Sequence, residues 1–94
     1  MDIKKMAVPT IHRNGSSADS LLDAVTEASE ALFQAMDKME KTHPNGRDYY
    51  PQGPEAIKQA EREYQDRMRR VMAVRAELVN LAEAIADNTP NYPS

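Results

Sequence analysis

From Ile57 to Ile85 the chain sets Ile57, Ala60, Tyr64, Arg67, Val71, Val74, Leu78, Leu81 and Ile85 at strictly alternating steps of three and four. That spacing returns side chains to one face of an α-helix and cannot hold one face of a strand, whose period is two. An upstream stripe obeys the same rule through Leu22, Val25, Ser29, Leu32, Met36 and Met39, widened by Leu21, Ala28 and Ala35. The expected fold is therefore all-α, with two long amphipathic helices.

Length limits how these helices can be stabilised. Ninety-four residues make one domain near the lower end of what a single hydrophobic core supports, so help from a second chain is plausible. Phe33 is the one phenylalanine and tryptophan is absent, which suits thin seams between helices better than a thick core. With no cysteine there is neither a disulfide framework nor a thiolate metal site. No stretch approaches the ~20 apolar residues of a membrane span, and Met1 to Ala7 lacks the apolar core of a signal peptide. The expectation is a soluble protein of the bacterial cytoplasm with no membrane partner. A formal charge of −3 argues against nucleic acid as the main partner.

The boundaries follow from local chemistry. Residues 1–16 read as an extended arm, because Pro9 lacks a backbone donor, Val8, Thr10 and Ile11 are β-branched, and Asn14-Gly15 signals a turn. Ser16 or Ser17 then caps a helix, and Ser16 with Asp19 approximates a capping box. The hairpin spans 17–88: a helix over about 18–41, a connector over 42–53, and a helix over about 54–87 opened by Pro54. Residues 89–94 are a tail. Folded antiparallel, the seams pair Met39 with Ile57, Met36 with Ala60, Leu32 with Tyr64, Ser29 with Arg67, Val25 with Val71 and Leu22 with Val74. Leu78, Leu81 and Ile85 then overhang and need cover, either from Met6, Val8 and Ile11 of the arm or from a second copy. Leu21, Ala28, Val79 and Ala82 beside the seams predict self-association into a four-helix or larger bundle.

The connector is rich in recognition chemistry. Between Thr42 and Pro54 it carries His43, Arg47, Asp48, Tyr49 and Tyr50, punctuated by Pro44, Pro51, Gly46 and Gly53. Asn45-Gly46 predicts a tight turn with positive φ that would hold Arg47. A guanidinium offers forked donors to phosphate, and tyrosine rings offer stacking faces, so the set fits a small nucleotide-like ligand. The plainer reading makes Tyr49 and Tyr50 a lid on the hairpin, with Arg47 paired to a nearby carboxylate. His12-Arg13-Asn14-Gly15 echoes His43-Pro44-Asn45-Gly46, and an antiparallel dimer could bring His12 and Arg13 of one chain to Arg47 and Tyr49 of another. Two ordinary turns that share residues would explain the echo equally.

Arg67 in the seam predicts a buried polar layer with Ser29 and Tyr64, fixed by Glu30 or Glu63, or else open to an anionic ligand. Between Lys58 and Arg75, six bases outweigh three acids, while the first helix is acidic, so complementary faces explain the pattern. A patch around Arg62, Arg69 and Arg70 still suits a phosphate-bearing partner. Catalysis finds no support: there is no cysteine nucleophile and no histidine with an evident orienting partner. Two histidines without clustered carboxylates are too few for a metal centre, and no cofactor is implied.

Through Val8-Pro9-Thr10-Ile11-His12 and Pro44-Asn45-Gly46-Arg47-Asp48-Tyr49-Tyr50, the chain resembles a family of small uncharacterised proteins of bacteriophages and proteobacterial genomes. The resemblance spans most of residues 8–86 and implies the same order of arm, helix, connector and longer helix. It brings no residue roles. It does imply a phage-type setting, in which small helical oligomers sequester nucleotide signals of bacterial immunity or block defence proteins. The expectation is a non-enzymatic, self-associating hairpin that binds a phosphate-bearing ligand; the alternative is an adaptor or inhibitor whose connector contacts a partner protein.

Overall fold

A computed structural model describes residues 6–88. Two helices, α1 (Ala18–Met39) and α2 (Pro54–Asn88), pack against each other as a hairpin, and no strand occurs among the described residues. At ~1.5 Å per residue α1 runs about 33 Å and α2 about 52 Å. The result is a slim rod of 67 × 24 × 17 Å. No helix among the described residues is long and apolar enough to cross a membrane.

Each helix end has a local cause. Ser17, in extended conformation, caps α1 by accepting the Ser20 N–H on Oγ at 3.1 Å. The cap is thus Ser17, not Ser16, and the box between Ser16 and Asp19 does not form. Asp19 and Lys38 occupy the first and last turns of α1, where they complement the helix dipole. Past Met39 the helix tightens into a 3₁₀ turn over Glu40–Thr42, and Thr42 Oγ1 donates to the Met39 carbonyl at 2.6 Å. Pro44 follows. α2 opens directly on Pro54, whose missing N–H costs nothing in a first turn.

The seams meet on the expected faces but in another register. Arg75 donates from Nε to the Ser29 carbonyl at 3.3 Å and stacks over the Phe33 ring at 4.9 Å. Leu32 shares one recess with Val71 and Val74, and Val25 shares another with Leu78 and Val79. The pairing is therefore displaced by about two helical turns toward the C-terminus of α2 relative to the sequence-based one. A seven-residue slip leaves a three-four stripe on the same face, so periodicity fixes the face and leaves the register open. The connector bears on this register: it folds into three consecutive 3₁₀ turns, the last of which, Tyr50–Gln52, packs against α2. Leu78 lines the same recess as Val25 instead of overhanging, and continuing that register puts Leu81 and Ile85 level with the first turns of α1.

The core is one layer deep. Among the described residues only Ser29, Ala60, Tyr64 and Ile85 are buried, with Ile85 at 1 % exposure. Met6, Val8, Pro9 and Ile11 of the arm are half-buried, whereas Ala7, Thr10 and His12 are exposed. The tail assigned to 89–94 lies outside the described residues.

Candidate functional site

The connector is a run of tight turns with little slack. Gly46–Asp48 and Tyr50–Gln52 form two further 3₁₀ turns. Asp48 N–H donates to the Asn45 carbonyl at 3.0 Å, Tyr49 N–H to Gly46 at 3.0 Å, Gln52 N–H to Tyr49 at 2.9 Å and Gly53 N–H to Tyr50 at 3.1 Å. The Asn45 side chain accepts the Arg47 N–H at 3.0 Å. This settles the Asn45-Gly46 turn differently from the expectation. Asn45 has φ −110°, and positive φ occurs among the described residues at Gly53 alone, with φ 100°. Asn45 acts through its side-chain oxygen, as an Asx turn, so no left-handed residue is needed. Gly53 takes the strained position because the chain must reverse there into Pro54, which no side chain but hydrogen tolerates comfortably.

His43 connects these turns to α2. Its ring meets the Tyr64 ring edge-on, with centroids 4.8 Å apart and planes at 68°, and Nδ1 donates to the Pro44 carbonyl at 3.0 Å. Tyr64 is 6 % exposed and anchors that contact. His43 also forms a wall of an open recess of about 600 Å³, completed by Lys58, Glu61, Arg62, Gln65 and Arg69 of α2. Lys58, Arg62, Gln65 and Arg69 follow steps of four, three and four, so they form a second, polar stripe along one side of the helix.

The charges of this recess are partly committed. Lys58 Nζ lies 3.6 Å from Glu55 Oε1, and Arg69 Nη2 lies 3.9 Å from Asp66 Oδ1. Asp66 also takes Arg70 Nε at 3.1 Å. All three pairs are exposed and lie within α2, where each contributes no more than a few tenths of a kcal/mol. Arg62 takes part in none of them. Among the described residues no ion pair joins α1 to α2. The acidic face of α1 and the basic face of α2 are not neutralised against each other, contrary to the expectation from charge patterning.

The other sequence-predicted site residues are placed less favourably. Arg47, Asp48, Asn45 and Gly46 are exposed, Tyr49 is half-buried, and Tyr50 is 76 % exposed. None of them lines the His43 recess. His12 and Arg13 sit in a turn before α1, closed by the Gly15 N–H donating to the His12 carbonyl at 3.1 Å. The His12 imidazole lies over Gly15, where a Cβ would come within 2.7 Å of Nε2. Within one chain that turn and the connector flank opposite ends of α1, about 33 Å apart.

The buried polar layer is also different. Ser29 and Tyr64 are buried, but Arg67 is exposed and beside Leu32, Arg70, Val71 and Val74, with no ion pair to Glu30 or Glu63. The register shift replaces it with Arg75, which sits one position past the stripe and meets Ser29 and Phe33. Among the described residues no group of three or more His, Asp or Glu is placed to hold a metal ion. In comparisons with protein-family models, curated proteins and solved structures, nothing matched this chain.

Proposed function

We propose that this chain is a non-enzymatic, phage-type binding protein that self-associates and captures a small phosphate-bearing, nucleotide-derived ligand, such as a signal of bacterial immunity. The observation that carries the reading is the recess beside the connector, where His43, Lys58, Arg62 and Arg69 face one open space with Gln65 and a single carboxylate, Glu61. Among the described residues Arg62 has no ion-pair partner, so its guanidinium is available for forked donation to phosphate oxygens. The recess is open, of about 600 Å³, and its charged side-chain tips, carried on largely aliphatic stems, suit a phosphate-bearing ligand. Tyr50 supplies an exposed ring for stacking on the same connector that carries His43, and Arg47 a further exposed cation. The reading moves the phosphate contacts from Arg47 to the α2 stripe. His12 and Arg13 can join it only from another chain.

Titration calorimetry with cyclic dinucleotides and ADP-ribose tests this. Arg62→Ala is expected to weaken binding about tenfold or more, the loss of one charge-assisted hydrogen bond, while Arg47→Ala has a smaller effect. Equal loss from both variants would return the site to the connector, and no binding by the wild type would remove the reading. A second reading is a helical adaptor or inhibitor whose connector contacts a partner protein. It is favoured by Tyr50, whose ring is presented to solvent on a connector otherwise fixed by its own hydrogen bonds.

A further inference from the structure

One flank of the hairpin has an apolar centre and no cover. Phe33 is 59 % exposed, Met72 54 % and Val79 37 %, and half-buried Met68 lies in line with the latter two on α2. Steps of four and seven separate Met68, Met72 and Val79, so they lie along one side of the helix. Arg75 links that side to α1 by stacking over Phe33. On the α1 side of the same flank stand Glu30 and Asp37, three before and four after Phe33, and neither forms an ion pair among the described residues. On the α2 side stands Arg69, whose one pairing, to Asp66, is long and exposed.

We infer that this flank docks a second copy of the chain through a two-fold axis parallel to the helices, so that α1 of each copy lies on α2 of the other. The proposal rests on the self-association put forward above and specifies its surface; because it keeps both connectors at one end of the dimer, it excludes His12 and Arg13 of one copy from the recess of the other. Charge decides the arrangement. A two-fold axis across the helices would place acidic α1 on acidic α1, whereas the parallel axis places it on the basic stretch of α2. Every α1 then has antiparallel α2 neighbours on both sides, which also opposes the helix dipoles. Within the hairpin Leu32 is level with Val71, so Phe33 of each copy reaches the height of Met68 and Met72 of the other. Asp37 faces Arg69 of the second copy. The contact spans about 33 Å by about 20 Å, or about 650 Å² per copy, close to the ~800 Å² per partner of stable interfaces.

Sedimentation equilibrium at micromolar concentration, with circular dichroism as a control on helicity, tests the surface. The wild type is expected to be dimeric and Phe33→Glu monomeric with its helices intact. Asp37→Arg is expected to weaken dimerisation about tenfold, and Asp37→Arg combined with Arg69→Asp to restore it. A monomeric wild type would overturn self-association altogether. A dimer unchanged by Phe33→Glu, or a double charge exchange no better than Asp37→Arg alone, would leave self-association standing and overturn this surface. Phe33 and Asp37 do not line the His43 recess, so ligand binding is read on their single variants, while the double exchange, which alters Arg69 of the recess, is scored for assembly alone.

Discussion

At the closed end of the hairpin, residues 40–53 hold their shape by hydrogen bonds between residues two or three apart, and their side chains are mostly exposed. The open end, around Ile85, has one such turn, over His12–Gly15, and holds the most buried side chain among the described residues. One end is organised by local backbone geometry and leaves its functional groups outward. The other buries the best-covered apolar side chain among the described residues. The difference teaches why the candidate site lies where it does: a connector that satisfies its own backbone can present His43 and Tyr50 without needing them for stability, apart from the contact of His43 with Tyr64.

Substitutions that act on one end and spare the other sharpen this contrast. The largest effect is expected for Ile85→Ala, which removes the best-buried side chain from a core of few members and should cost about 2–5 kcal/mol in chemical denaturation. A loss below about 1 kcal/mol would mean that the open end is not held by burial. Gly53→Ala places a Cβ on a residue with φ 100° and ψ 165°, and is expected to lower stability by about 1–3 kcal/mol. Because nothing crowds that position, a neutral result would show that the connector relaxes to another backbone path.

The two arginines of the seam come next. Arg75→Ala is expected to cost about 1–2 kcal/mol through its hydrogen bond to Ser29 and its stacking on Phe33. Arg67→Ala should stay within about 0.5 kcal/mol, as for an exposed side chain. The reverse order would reinstate the unshifted register. Asn45→Ala removes the side-chain acceptor for the Arg47 N–H and is expected to cost about 0.5–1 kcal/mol, less than Arg75→Ala, with Ile85 and its surroundings unaffected in hydrogen exchange.

The same contrast explains what could be read from the sequence. Both helices and their inner faces were legible, because a three-four stripe has one solution. The helix ends were legible within a residue or two, since Ser17, Pro54 and the connector prolines act locally. The register was not, because a stripe superimposes on itself after seven residues and the connector's three-dimensional course selects among the alternatives. On periodicity alone Arg67 falls in the core stripe, whereas Arg75, one step off it, carries no sequence signal of its contact with Ser29 and Phe33. The Lys58, Arg62, Gln65 and Arg69 stripe could have been found, since its spacing is as regular as the apolar one. Only Arg62 and Arg69 stood out, through charge density. That His43 joins them depends on the ring contact with Tyr64, 21 positions away, for which the sequence holds no local sign.

The most direct test of ligand capture at the His43 recess is native mass spectrometry of the full chain incubated with cyclic dinucleotides and ADP-ribose, wild type beside Arg62→Ala. The expected spectrum shows the wild-type assembly carrying the mass of one of these compounds and the variant largely bare. A wild-type spectrum without any adduct, or an adduct retained in full by Arg62→Ala, would contradict the assignment.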